Sequence, residues 1–130
     1  MARRPLIRVL LVEDDPDIQL VASLALSDIG GLTVEACSCG KDALAIVGSF
    51  RPDLVLLDVM MPDMDGVAVL EALRARPETG GTPVVFMTAR AQPQEIARYK
   101  ELGSLGVITK PFEPATLAES LRGLWERHAG

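Results

Sequence analysis

The apolar positions of this chain fall into two alternating kinds of segment. Residues 6–12 (LIRVLLV), 54–58 (LVLLD) and 84–88 (VVFMT) are short, nearly continuous apolar runs, two of which close on a polar residue while the first is followed by three acids. Runs of this length, rich in Leu and Val, predict strands buried on both faces of a parallel sheet. Residues 33–37 (TVEAC) and 107–109 predict two weaker strands. Between the strands the apolar residues recur at helical spacing. After Pro16 one face carries Ile18, Val21, Ala22, Ala25 and Ile29, and Gly30 and Gly31 stop it. A short helix over 41–47 rests on Ala43, Leu44 and Val47 and is broken at Arg51 and Pro52; another over 67–76 rests on Val67, Leu70 and Leu73. Pro93 opens a helix carrying Ile96, Tyr99 and Leu102 that ends at Gly103, and the last helix, 114–126, sets Leu117, Leu121, Leu124 and Trp125 on one side.

Five strand-helix units in sequence predict an α/β fold, a doubly wound five-stranded parallel sheet of order 2-1-3-4-5 with helices on both faces, as in flavodoxin-like folds. The 130 residues are expected to form a single domain with a core over about 6–125 and without an output domain, whether standing alone or excised from a larger protein. Composition, 48% hydrophobic and 24% charged, excludes a disordered chain. The 13 basic and 18 acidic residues leave a net charge of −5, which argues against direct binding of nucleic acid, since a phosphate backbone calls for clustered Lys and Arg. Cys37 and Cys39 have no second pair to complete a metal site and read as reduced thiols. The apolar stretch behind Arg3, Arg4 and Arg8 is too short for a signal peptide, and no run approaches the ~20 residues of a membrane span. A cytoplasmic protein without membrane contact is expected.

In an open parallel sheet, sites form beyond the carboxyl ends of the strands, at the switch point of the winding. Glu13, Asp14 and Asp15 follow the first strand, Asp58 ends the third, Thr88 the fourth, and Thr109, Lys110 and Pro111 lie at the end of the fifth. Any one acid there is commonly a solvated loop residue or a helix cap. Gathered together, carboxylates would repel and raise one another's pKa unless a cation joined them. Oxygen donors suit a hard divalent ion such as Mg²⁺, which is readily shared with a phosphoryl group; Lys110 adds a point charge for an anion and Thr88 a hydroxyl donor. Asp58, directly after LVLL, is the acid least easily explained by structure alone. Asp63 reads as ordinary, and Asp65 with Gly66 as the start of the following helix.

With these residues in order, the chain resembles a response-regulator receiver domain of two-component signalling, of the chemotaxis-regulator kind. The VEDD acids, the LLDVMMPDMDG segment, the MTA at the fourth strand end and the TKPF before the last helix carry the likeness. The resemblance implies that Asp58 is the phosphoacceptor and that Glu13 and Asp14, with Asp58 and the backbone carbonyl of Met60, hold Mg²⁺. It implies that Thr88 is the switch hydroxyl, that Lys110 pairs with the phosphoryl group, and that the Lys110–Pro111 peptide is cis. The resemblance also implies that Met60 and Arg90 occupy positions that tune hydrolysis in the family, and neither is an acid or amide, so a longer-lived phosphoryl group than in the fastest family members is expected. At the aromatic switch position the chain carries Val107, which cannot swing as a ring does. The implied partners are a histidine kinase or histidine phosphotransfer protein and a downstream effector of unknown kind, with the chain a monomer or weak dimer. It would catalyse only its own phosphorylation and dephosphorylation.

Two other readings differ in class. A receiver-fold interaction module would keep the fold without phosphorylation, and Val107 is the feature that leaves room for it. An aspartate-nucleophile phosphatase would need a second acid two residues after Asp58, where Met60 stands. A nucleotide-binding glycine loop is absent from the sequence.

Overall fold

The computed structural model describes residues 4–129, apart from the side chains of the last two; His128, read from the sequence as a solvated tail residue, lies outside the described side chains. The chain runs β1 (Arg8–Val12), α1 (Pro16–Leu24) with a π-helical extension (Ala25–Ile29), β2 (Thr33–Cys37), α2 (Gly40–Phe50), β3 (Leu54–Asp58), α3 (Gly66–Ala75), β4 (Val84–Thr88), α4 (Pro93–Glu101), β5 (Gly106–Thr109) and, after a 3-10 turn at Pro114–Thr116, α5 (Leu117–Ala129). All strands pair in parallel in the order β2-β1-β3-β4-β5. This is the doubly wound α/β sheet that the alternating pattern predicts.

Strand alternation divides the core into two layers. Val9 and Leu11, Leu54 and Leu56, and Val85 and Met87 pack beneath α1 and α5 with Ala22, Leu26, Leu121 and Trp125. Their neighbours Leu10 and Val12, Val55 and Leu57, and Val84 and Phe86 face α2, α3 and α4, against Val47, Leu70, Leu73 and Tyr99. Every residue of β3 and β4 is buried, which is why both read as unbroken apolar runs. At roughly 1.5–3 kcal/mol per fully buried aliphatic side chain, these two strands contribute substantially to the hydrophobic stabilisation, together with β1 and the inward faces of the helices.

Three boundaries differ from the sequence pattern for local reasons. β1 starts at Arg8 because the N–H groups of Ile7 and Arg8 both donate to Asp53 Oδ2, at 3.0 and 2.8 Å, just below the sheet. α2 continues to Phe50, where the Arg8 guanidinium lies 4.2 Å above the phenyl ring and donates through Nε to the Phe50 carbonyl at 3.0 Å. Arg51 then ends the helix in the left-handed region (φ 54). The third difference is in α1. Its last turn is π-helical, and the Gly30 N–H reaches back to the Ala25 carbonyl at 3.0 Å. A wider turn shifts the face that points inward, so Leu26 is buried while Ile29 is 62% exposed. Val21 is also turned out, at 43%, and with Leu20 and Leu24 leaves an apolar stripe on the outside of α1.

Candidate functional site

Register assembles the site. Val12 pairs with Leu57, so the residues after them, Glu13 and Asp58, face each other across β1 and β3. Thr88 pairs with Thr109, which brings Lys110 to the same end of the sheet. Backbone bonds extend each ladder one step past the strand: Glu13 N–H donates to the Cys37 carbonyl (3.0 Å), Val59 N–H to Met87 (3.1 Å) and Lys110 N–H to Thr88 (2.8 Å).

The carboxylates of Glu13, Asp14 and Asp58 each place an oxygen within 4.8 Å of the others. Glu13 and Asp58 are buried, whereas Asp14 is open to solvent on one side. Lys110 Nζ stands between the two buried acids, 2.5 Å from Glu13 Oε1 and 3.3 Å from Asp58 Oδ2. Burial pushes the Glu13 carboxyl well above its ordinary value, opposed by Lys110 and the Asp15 N–H and reinforced by the neighbouring Asp58 carboxyl. Burial alone would pull Lys110 down, but its bonds and charge contacts with Glu13 and Asp58 outweigh that and hold the ammonium above its ordinary value. Three carboxylates against one ammonium leave an excess of negative charge in a half-closed pocket. That is the electrostatic condition for a divalent cation, and the donors are all oxygens, as a hard ion requires.

The other sequence-predicted residues surround this cluster. The Met60 N–H donates to Asp58 Oδ1 at 3.2 Å while its side chain is 64% exposed. Thr88 is buried, and its Oγ1 accepts the Arg90 N–H at 3.0 Å; the Arg90 side chain is exposed. Val107 is half-buried in the layer that holds Phe86 and Tyr99, whose rings pack 5.0 Å apart. The Lys110–Pro111 peptide is cis. Asp15 points away from the cluster and caps α1, accepting the N–H groups of Asp17 and Ile18 at 2.9 and 3.2 Å. Cys37 is buried among apolar side chains, which with Glu35 and Asp42 nearby pushes its thiol up to about 11, so it stays protonated and unreactive at neutral pH.

The model of the response regulator receiver domain matches residues 9–122. The chain belongs to that family. Over 121 residues this receiver is 35% identical to the DNA-binding response regulator MtrA of Mycolicibacterium smegmatis, a match covering 93% of the receiver and 51% of that protein. It is 37% identical to the transcriptional regulatory protein TrcR of Mycobacterium tuberculosis, over 93% and 46%. The receiver thus spans about half the length of the curated relatives it matches. Among solved structures, the chemotaxis response regulator CheY4 of Vibrio cholerae superposes with a TM-score of 0.84 at 33% identity, over 92% of the receiver and 98% of that chain. No helix among the described residues of the receiver is long and apolar enough to cross a membrane.

Three polar residues near the strand ends were invisible to sequence reasoning as contributors. Asp63, in the loop after β3, accepts the N–H groups of Gly40 and Lys41, each at 3.3 Å, and so caps α2 from across 22 to 23 residues. Gln19 on α1 bridges the ends of β1 and β2. Asp53, at the opposite end of the sheet, holds the entry to β1. Only Asp53 had a signal, an acid placed directly before an apolar strand in the way that Asp58 is placed after it.

Proposed function

We propose that the receiver accepts a phosphoryl group on Asp58 from a phosphohistidine of a histidine kinase or phosphotransfer protein, with Mg²⁺ as its cofactor. The observation that carries this reading is the cluster itself: a buried aspartate at a strand end, two further carboxylates within 4.8 Å, and one lysine shared between two of the acids. Glu13, Asp14 and Asp58 would hold the cation, with the Met60 carbonyl as the fourth protein donor implied by the family resemblance. When bound, the ion supplies charge neutralisation at the transferring phosphoryl oxygens.

A carboxylate oxygen of Asp58 forms the new bond to phosphorus while the phosphorus–nitrogen bond breaks, and the electron pair leaves with the imidazole, which is then protonated. Lys110, fixed by Glu13, steadies the anionic phosphoryl oxygens. Water later attacks phosphorus, restoring the carboxylate and releasing inorganic phosphate. The added charge draws the Thr88 hydroxyl away from the Arg90 N–H, shifting the loops after β3 and β4 between two pre-existing arrangements that an effector distinguishes. An apolar groove lined by Ile18, Val21, Ala89, Pro111 and Phe112 opens beside Lys110 and offers the phosphoryl donor a surface to bury.

Intact-protein mass after incubation with acetyl phosphate and Mg²⁺ tests the reading. One added phosphoryl mass, lost in Asp58→Ala and without the metal, is the expected result. No gain by a folded protein that binds Mg²⁺ would instead favour an interaction module that does not use phosphorylation.

A further inference from the structure

The most connected side chain beside the acidic cluster is not an acid. Gln19, half-buried on α1, places Nε2 at 2.9 Å from the Glu13 carbonyl, 3.0 Å from the Cys37 carbonyl and 3.2 Å from Ser38 Oγ. Two carbonyl oxygens at this end of the carboxamide settle its orientation, because the amide oxygen there would face acceptors only. The Glu13 carbonyl belongs to the peptide group that joins Glu13 to Asp14. Its direction sets the plane from which the Asp14 side chain departs. The Cys37 carbonyl also accepts the Glu13 N–H at 3.0 Å, so the same β2 end is bonded to Glu13 on one side and to Gln19 on the other. Glu13 and Asp14 are like charges that repel, and the peptide between them lies in a loop, where rotation would let the pair open.

We propose that Gln19 is a positioning residue for the Glu13–Asp14 pair. Its carboxamide fixes the peptide between the two acids against the end of β2, so both carboxylates are held ready for a divalent cation. This inference rests on the reading of Glu13, Asp14 and Asp58 as a Mg²⁺ site. Outer-shell partners of metal ligands generally influence affinity by about 10- to 100-fold. Gln19 acts on the backbone between two ligands rather than on a ligand atom, which places its effect at about tenfold, the lower end of that range.

The test is calorimetric titration of Mg²⁺ into the full chain carrying Gln19→Ala or Gln19→Met, beside the unsubstituted chain. Both side chains are good helix formers and leave α1 intact. Thermal unfolding in EDTA establishes that each variant is folded. The expected result is a Mg²⁺ dissociation constant raised about tenfold in both variants, with a matching rise in the Mg²⁺ concentration that half-saturates phosphorylation by acetyl phosphate. A purely structural role would lower the unfolding temperature in EDTA and leave the dissociation constant where it was, and that outcome overturns the inference alone. Failure of the unsubstituted folded chain to bind Mg²⁺ would overturn the metal reading and the inference with it.

Discussion

Gly66 ties the helix after β3 directly to the strand that ends in Asp58. A Cβ at this position would lie 2.6 Å from the Asp58 carbonyl oxygen, 2.9 Å from the Val59 Cα and 3.2 Å from a Phe86 ring carbon, whereas ordinary contact begins at 3.4 Å. The two nearest atoms are backbone and cannot rotate away. Gly66→Ala therefore requires the start of α3 and the end of β3 to part by about 0.8 Å, the difference between 3.4 and 2.6 Å. Overpacking of this kind costs about 1–3 kcal/mol, and the better helix propensity of Ala returns up to ~1 kcal/mol. The net loss of about 1–2 kcal/mol corresponds to a fall in unfolding temperature of roughly 4–8 °C for a domain of this size. The same displacement acts on the main chain of Asp58, and misplacing a reacting group by about 1 Å can cost on the order of 100-fold in rate. Phosphorylation by acetyl phosphate in Gly66→Ala is expected to slow about 10- to 100-fold. Gly48, in α2, has nothing within 4 Å of its Cβ position, so Gly48→Ala should stabilise by about 0.5–1 kcal/mol with an unchanged phosphorylation rate. Differential scanning calorimetry and timed intact-mass spectra read both effects. A Gly66→Ala chain as stable and as fast as the parent would refute the argument from close approach.

Asp53 gives a pH signature. Burial pushes its carboxyl up, but the N–H groups of Arg8 and Ile7 and the Arg4 guanidinium together hold it below the ordinary value of 3.8. A carboxyl depressed on folding contributes stability that is present above its unfolded pKa of ~3.9 and is lost as pH falls through the folded value. Asp53→Asn keeps an oxygen that can accept both N–H groups but removes its charge, so it should cost about 1–2 kcal/mol at neutral pH, mostly from lost charge assistance at the two backbone bonds because Arg4 is exposed, and the gap should narrow below about pH 4. Urea titrations of both chains at the two pH values check this, and a pH-independent gap would rule out the carboxylate as its source. For Asp63→Ala, hydrogen exchange of the Gly40 and Lys41 amides is expected to speed up while amides in β3 keep their protection; unchanged exchange at those two positions would mean that the cap does not hold in solution.

Much of the fold was legible because its signals are local. β3 and β4 announce themselves as unbroken apolar runs since both their faces are covered, and the acids and hydroxyls at strand ends follow once the strands are ordered. Asp58 could be singled out because a charge directly after LVLL has no cheap structural explanation. What stayed hidden depends on partners distant in sequence. Asp63 looked like a loop acid because the helix start that it caps lies on the other side of β3. Gln19 sits in a helix where its neighbours give no sign that its amide reaches two strand ends. Ile29 turns outward because helical spacing presumes a regular turn and the π-helical turn at Ala25–Ile29 breaks that presumption, whereas Val21 precedes that turn and is exposed within the regular part of α1.

Trp125 is the only tryptophan of the chain, and it is fully enclosed between α5 and the sheet, its indole Nε1–H donating to the Arg4 carbonyl at 2.8 Å. Arg4 in turn pairs with Asp53, so the indole stands at the amino ends of the strands, away from the acids at their carboxyl ends. An indole so shielded emits at short wavelength, free of the solvent relaxation that reddens an exposed one. Its emission is therefore insensitive to charge placed at Asp58 by direct contact and sensitive to any shift of α5 against the sheet. The protein carries its own optical gauge of how far a change at one end of the sheet travels toward the other.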